Sequence, residues 1–453
     1  MLGSPTIPAK EGGKPHHRAR QLQIGTLQRL PMHLHFVFPR WQKLLEDHPS
    51  LRDLVSGYDV GNFRMAGLGL ATAAGAVPPG HQITLCDENV SDVRFDVDAD
   101  LVCIGFFTPQ ATNAYRLADS FREAGKTVIG GGIHPTMMPE ESALHFDVIL
   151  RGPAEGAWEQ ILADYSAGGC KPIYSGSSCA PFAKPRRDLF KDSAYLQAGT
   201  VQTARGCPVE CPFCVLPGHA GNKVVLRPVA EVLEDIAALP FPCFFFADEN
   251  LLFPDPENRH YRIELFSRMV EAGNRRISFI AAYPQYLRLL RADEIALMAS
   301  ARMRQVYLVL GLRQPLSQDL NDGVLIAKMI ELKSAGIEIM ASFNLGNDAD
   351  SGPVEKDIEA FCSATGTNLA EFIIHTPFPG TAMFSQMEAD GRLLTKDWSK
   401  YNGANVVFSP LHESPAALLD RYLALWRWFY SDINQEQILS RYVRAFGGGI
   451  IRK

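Results

Sequence analysis

Short apolar runs separated by stretches of helical spacing recur in two series along this chain. From Met32 to about residue 168, Leu34–Phe38, Gln82–Asp87, Leu101–Phe107, Thr127–Gly130 and Asp147–Arg151 read as strands. Between them Ala66–Val77, Gln110–Ala124 and Met138–His145 carry helical periodicity, and Glu155–Ala167 follows the last run. Alternation of this kind predicts an α/β domain with a parallel, doubly wound sheet. Such sheets bind ligands beyond the carboxyl ends of their strands, near the switch in strand order. That directs attention to Phe107-Thr-Pro-Gln110 and Gly130-Gly-Gly-Ile-His-Pro-Thr136.

The second series runs from about Gly199 to Met387. Its strands are the segment before Arg205, then Pro242–Ala247, Ile277–Ala281, Val306–Leu310, Ile337–Phe343 and Glu371–His375. Six strand–helix units are too few for a closed eight-stranded barrel. Residues 169–198, rich in Gly, Ser and Pro, read as a linker, and residues 388–453 as a helical carboxyl-terminal extension. In that extension Tyr422, Trp426, Phe429 and Tyr430 recur at helical spacing over Ala416–Ser431 and are expected to pack the tail onto the barrel.

Composition adds exclusions. At 453 residues the chain has room for two or three domains. Its 44 basic and 50 acidic residues, without a long basic run, give no footprint for nucleic acid. Nine scattered cysteines do not make a disulfide framework and fit a reducing cytosol. No run of about twenty apolar residues predicts a transmembrane helix. Residues 1–31, rich in Pro, Gly and basic side chains, lack a hydrophobic signal core and read as a disordered leader, with the folded protein beginning near Met32.

The chemistry concentrates in Ala204-Arg-Gly-Cys-Pro-Val-Glu-Cys-Pro-Phe-Cys-Val-Leu-Pro-Gly218. Cys207, Cys211 and Cys214 are spaced so that one loop can place thiolates on three corners of a cubane iron–sulfur cluster. No fourth cysteine lies nearby; Cys243 sits in an apolar run that reads as a buried strand. One iron would stay open to a substrate or cosubstrate. The alternative is structural zinc, which normally uses four ligands from two short-spaced couples; His219 would have to serve as the fourth.

The triple and its setting, after an extended segment and before a helical one, resemble the signature of the radical S-adenosylmethionine enzymes. The resemblance implies a partial (β/α)6 barrel with chemistry at the carboxyl ends of its strands, and a [4Fe–4S] cluster whose open iron chelates S-adenosylmethionine. It implies cosubstrate contacts from Phe213, beside the third cysteine, and from Asp248-Glu249-Asn250 at a strand end. It also points to Gly311 and Arg313 in Leu308-Val-Leu-Gly-Leu-Arg313, and to Ser342 and Asn344 on one face of Met340–Gly346. Arg313-Gln314 stands where the family pattern usually has Glu-Ser, so the contacts from that strand are open: Arg313 can bind a carboxylate or make a surface salt bridge.

Gly130–Thr136 and Arg151-Gly-Pro-Ala-Glu-Gly-Ala-Trp158 resemble the cobalamin-binding domain found before many radical-SAM barrels. That likeness implies cobalamin contacts from Thr108, Gly131, Gly132, His134, Pro135, Glu155 and Gly156. The Asp-x-His-x-x-Gly motif that supplies a lower cobalt ligand is absent, with Arg64 and Met65 as conceivable neighbours. Gly67-Leu-Gly-Leu-Ala-Thr72 nearly matches a dinucleotide fingerprint but does not directly follow a strand, so close helix packing explains its glycines better. Thr376-Pro-Phe-Pro-Gly-Thr381 and the tail also resemble the cobalamin-dependent subgroup.

The combined resemblance implies methylation of an unactivated carbon in a small-molecule substrate, through methylcobalamin and a 5′-deoxyadenosyl radical, with flavodoxin or ferredoxin as reductant in the cytoplasm. Alternatives are a cyclase or rearrangement enzyme with the same cofactors, a cobalamin-free radical-SAM enzyme, and a non-enzymatic metal protein.

Overall fold

In the computed structural model, which describes residues 31–54, 66–190, 195, 198–248, 251–350 and 352–431, the first six strands make one parallel sheet. They are β1 (His33–Phe38), β2 (Gln82–Asp87), β3 (Leu101–Gly105), β4 (Thr127–Gly131), β5 (Val148–Arg151) and β6 (Ile173–Ser175). Their order is β2-β1-β3-β4-β5-β6. Leu34, Phe36, Leu101, Cys103 and Ile129 pack with Leu70, Trp158 and Ile161, from helices Leu68–Gly75 and Trp158–Ser166. The alternate side chains Val102, Ile104 and Val128 pack with Ala114, Leu117 and Phe121 of helix Ala111–Glu123. Helices cover both faces, which is why these strands read as nearly continuous apolar runs. The order reverses between β1 and β3, so the crevice for a ligand lies at their carboxyl ends.

Two expectations need correction here. The segment 169–198 is more than a linker, because β6 lies within it and pairs with β5 through Ile149 and Ile173. Its three-residue run, Ile-Tyr-Ser, is too short to stand out among its polar flanks. The helix expected over Met138–His145 is only Pro139–Ser142, preceded by a separate turn of helix at Ile133–Met137. Pro139 starts the second piece because it has no N–H to continue the first.

The second sheet is also parallel, in the order β14-β13-β12-β11-β10-β7. Its strands are β7 (Ala198–Val201), then, after the antiparallel pair β8 (Ala204–Arg205) and β9 (Val225–Leu226), β10 (Cys243–Phe246) and β11 (Ile277–Ala282). β12 (Met303–Leu310), β13 (Glu338–Leu345) and β14 (Leu369–Ile374) complete it. Edges β7 and β14 do not pair with each other, so the barrel is open, as expected. Outside it run helices such as Pro256–Glu271 and Gly323–Ser334. Asp255 caps the first by accepting from the backbone N–H of Glu257 at 3.0 Å, and Asp322 caps the second through Val324 at 2.9 Å.

Alternation in these strands separates two jobs. Phe244, Ile280, Val306, Leu308 and Phe343 are fully or almost fully buried. The residues between them, Phe245, Ala281, Gln305, Tyr307, Met340, Ser342, Asn344 and Glu371, form the other face, where every polar side chain of interest lies. Helix Pro415–Tyr430 covers edge β14: Trp426 meets Phe372 edge-on at 5.5 Å, and the backbone N–H of Ala370 donates to Tyr430 Oη at 3.3 Å. Among the described residues no helix is long and apolar enough to cross a membrane.

Candidate functional site

The cysteine loop is fixed at both ends by its backbone. Before it, the backbone N–H groups of Thr203 and Ala204 donate to the two carboxylate oxygens of Asp248, at 2.6 and 2.9 Å. Gly206 then turns the chain at φ 84°, where a Cβ would lie 2.0 Å from the Lys223 carbonyl oxygen, so only glycine fits. Within the loop the Cys207 N–H donates to the Gly221 carbonyl at 3.1 Å and the Cys214 N–H to that of Cys211 at 3.1 Å. The Met383 N–H holds the Pro212 carbonyl at 2.8 Å, tying the loop to helix Ala382–Ala389.

The donor set fits a cluster. Cys207 is buried and Cys211 and Cys214 are half-buried. The Leu216 N–H points at Cys214 Sγ, 3.4 Å away, the kind of contact that steadies a thiolate ligand. Among the described residues no three His, Cys, Asp or Glu side chains converge as ligands of a single metal ion. A cubane sets each thiolate on its own corner iron and holds the three further apart than one ion would. His219, the zinc reading's fourth ligand, instead lies 3.3 Å from Thr136 Oγ1 through Nδ1, and burial with the nearby Arg205 charge pushes its pKa down to about 4.

The expected cosubstrate residues divide. Asp248 is occupied with the loop's backbone, and burial pushes its carboxyl up to about 6 against the pull of those N–H groups. It thereby positions the loop. Phe213 packs edge-on against His375 at 6.0 Å, at the end of β14. His375 Nδ1 bonds Asn344 Oδ1 at 2.9 Å, and burial pushes this imidazole down to about 4. Ser342, on the same face of β13 as Asn344, is fully buried with no partner for Oγ among the described residues. Gly311 turns the chain at φ 72°, where a Cβ would crowd the Asn344 carbonyl at 2.8 Å. Glu249 and Asn250 lie outside the described residues, as do Arg64 and Met65.

Arg313 is not a surface salt bridge. Its guanidinium stacks on Tyr283 at 4.1 Å and donates to Tyr286 Oη at 2.8 Å. Among the described residues it has no carboxylate partner, and its charge interacts with the Cys211 thiol. A half-buried cation beside the cysteine loop is suited to an anionic group.

The loops expected to bind cobalamin stand at the carboxyl ends of β3, β4 and β5, and they meet the cysteine loop. Glu155 forms an almost fully buried ion pair with Arg205, two residues before Cys207. Thr136 reaches His219, and a Cβ on Gly218 would lie 2.9 Å from the Met137 side chain. Several residues serve packing rather than an open pocket. His134 is enclosed completely, with Nδ1 3.1 Å from Thr108 Oγ1 and Nε2 2.9 Å from Tyr115 Oη. Both ring nitrogens are taken, so the expected tail-pocket role of His134 is corrected to that of a core tie. Thr108 and Pro135 are buried with it. Gly132, at φ 103°, lets its backbone pass Phe106, whose carbonyl oxygen a Cβ would meet at 2.7 Å. Gly131 ends β4, and Gly156 is the exposed member of the set.

Sequence reasoning pointed to the loop that begins at Phe107 near the switch point but missed its partner, Trp41. There Trp41, after β1, stacks on Phe107, after β3, with ring centroids 6.3 Å apart. Phe107 is 42% exposed, unusual for a large apolar side chain at a strand end. The only signal was position: each is an aromatic within three residues of a strand that flanks the order reversal.

A model of the B12-binding domain matches residues 62–162. The chain is 27% identical over 404 residues to the bacteriochlorophyllide d C-8(2)-methyltransferase of Chlorobaculum tepidum, covering 81% of this chain and 86% of that one. It is 29% identical over 373 residues to the C-12(1)-methyltransferase of the same organism, covering 77% and 79%. The fold resembles that of the radical S-adenosylmethionine methyltransferase TsrM of Kitasatospora setae, solved with cobalamin and a [4Fe–4S] cluster bound. The TM-score is 0.53, at 16% identity over 86% of this chain and 85% of that one. Residues 62–162 thus match a B12-binding domain, and the chain as a whole is similar to methyltransferases and shares its fold with a radical S-adenosylmethionine methyltransferase. The family model ends inside the first sheet, and the cysteine loop lies beyond it, so the two halves of the site are joined by the contacts described above rather than by one motif.

Proposed function

We propose that this protein is a cobalamin-dependent radical S-adenosylmethionine methyltransferase that methylates an unactivated carbon of a small-molecule substrate. The observation that carries the proposal is the meeting of the cysteine loop with the carboxyl-end loops of the B12-binding sheet, across Glu155–Arg205 and Thr136–His219. When bound, the cluster supplies an electron to cleave S-adenosylmethionine and cobalamin carries the methyl group.

The chain's own residues then have distinct tasks. Cys207, Cys211 and Cys214 hold three irons, and Asp248 and Gly206 hold the loop in shape. Arg313 receives the cosubstrate carboxylate, with Ser342 Oγ and Asn344 offering polar contacts on the barrel's inner face. Phe213, braced by His375, gives the adenine a flat neighbour. Trp41 and Phe107, stacked at the switch point, would offer a bound corrin an aromatic wall, and Gly131 and Gly156 would leave room for its polar tail. A flavodoxin- or ferredoxin-type protein serves as reductant.

Anaerobic purification followed by iron, sulfide and corrinoid analysis tests the assignment, with product mass as the second readout. A product heavier by one methylene is expected. Conversion without that gain favours cyclisation or rearrangement, and cosubstrate cleavage by corrinoid-free protein favours the cobalamin-free version.

A further inference from the structure

The inner face of the second sheet encloses a cavity of about 430 Å³. Phe245, Phe279, Tyr307 and Met340 supply much of its wall, and Trp41 closes the side toward the switch point of the first sheet. The cavity therefore lies between the inside of the partial barrel and the crevice where the B12-binding sheet takes its ligand. Aromatic faces and a thioether suit a flat, apolar occupant.

Gln42, Gln305, Glu371 and Asn402 interrupt that pattern, and of these Gln305 carries a buried donor with no partner among the described residues. Gln305, on β12, is 3% exposed, and its Nε2 meets no hydrogen-bond partner among the described residues. A buried N–H left unmade is costly, and leucine would fill similar space without that cost. The unmade bond is explained if an occupant supplies the acceptor. From Gln305 to Leu310, the last residue of β12, the strand rises roughly 16 Å at about 3.3 Å per residue. Gln305 thus stands well below the strand ends where the cosubstrate contacts gather.

We propose that this cavity holds the substrate, a flat and largely apolar ring compound with a carbonyl or equivalent oxygen, and that Gln305 Nε2 donates to that oxygen. The proposal rests on the function given above, which makes the occupant a substrate. Gln305 is then a positioning residue that fixes the far end of the molecule and sets which carbon reaches the strand ends.

A matched pair of probes tests it: 2-acetylnaphthalene and 2-isopropenylnaphthalene, which differ only by oxygen against a methylene group. Each is titrated calorimetrically into the full-length protein, purified anaerobically and reconstituted with iron, sulfide and cobalamin. The ketone is expected to bind about tenfold tighter, in line with one buried hydrogen bond. Gln305→Leu should abolish the preference, and Gln305→Met, which keeps the length of the side chain and removes its N–H, should abolish it as well. Equal affinities in the wild-type protein, failure of both probes to bind, or a preference that survives Gln305→Leu would overturn the proposal. If Gln305→Leu does not fold, the wild-type pair and Gln305→Met decide. Iron and corrinoid content of the same samples reads the other question: protein that prefers the ketone yet loads neither group defeats the methyltransferase function and leaves the cavity's chemistry standing.

Discussion

In the first sheet His134 gives both ring nitrogens to neighbours, Thr108 on one side and Tyr115 on the other, and is wholly enclosed. In the second sheet Ser342 Oγ and Gln305 Nε2 are also buried but meet no partner among the described residues. Both sheets are parallel and six-stranded, so strand geometry does not explain the difference. Coverage does. The first sheet has helices on both faces, so a polar group enclosed there as His134 is finds its partners in protein. The second has helices on one face and an interior on the other, where polar groups can wait for small molecules. The first sheet presents its ligand surface only at its end, whereas the second presents one along its inner face.

The largest effect separating the two should come from the cysteine loop. Ala at Cys207, Cys211 or Cys214 is expected to abolish bound iron and release of 5′-deoxyadenosine, while corrinoid still binds the first sheet. Full iron content in any of the three variants would end the ligand assignment. Simultaneous loss of corrinoid would show that the two sheets do not bind their ligands separately.

Next is the pair that joins them. Glu155 and Arg205 are 6% and 4% exposed, and removing one partner strands the other charge in a dry interface. Arg205→Ala should destabilise the protein by about 3–5 kcal/mol in a denaturant titration, and Glu155→Ala added to it should recover part of that loss. Arg205 also stacks on Phe182 at 4.5 Å, so its removal should loosen residues 177–182 to proteolysis. A shift below about 1 kcal/mol would mean that the pair is solvated and the sheets are held by apolar contact alone.

Much of this was legible in the sequence, and the gaps have physical causes. The core strands of both sheets were readable because apolar runs of four to eight residues alternate with helical spacing. The cysteine triple is local, so its spacing carried its meaning. Contacts between sheets are not local. Nothing in Arg151–Trp158 says that Glu155 will face Arg205, fifty positions on, and a glycine-rich loop reads the same whether it approaches a cofactor or, as at Gly132, another strand. Asp248 shows the same limit. An acid at a strand end suggests a ligand contact, but two backbone N–H groups claim it, and only tertiary structure shows them.

Asp248 also gives a pH test of how the loop is held. Its folded pKa, about 6, lies above the ordinary 3.8, so ionisation favours the unfolded chain. The linked stability is present in full below about pH 3.8 and is lost as pH rises to about 6. The two-unit rise corresponds to roughly 3 kcal/mol. Relative to wild type, Asp248→Asn should gain stability across that window, although it loses one acceptor for the loop's backbone. A difference that stays constant with pH would show the carboxylate to be hydrated.

The smallest effect is expected at Thr136, where both sheets depend on one hydroxyl. Thr136 Oγ1 donates to the Gly132 carbonyl at 2.7 Å, accepts from the Gly152 N–H at 2.9 Å, and lies 3.3 Å from His219 Nδ1. Thr136→Val keeps the volume and removes all three contacts, leaving the Gly152 N–H without its acceptor. A cost of about 1–2 kcal/mol is expected, and Thr136→Ser should restore most of it. The His219 contact adds a directional test, because burial and Arg205 keep that imidazole neutral down to about pH 4. Folded pKa below the ordinary 6.5 means that protonation favours unfolding, so wild-type stability falls as pH drops from 6.5 toward 4. If Thr136 helps to enclose His219, the valine variant should retain that acid slope and the serine variant should be indistinguishable from wild type. If instead Thr136→Val flattens the slope, water has reached the imidazole, and the junction between the sheets is opened by a single hydroxyl.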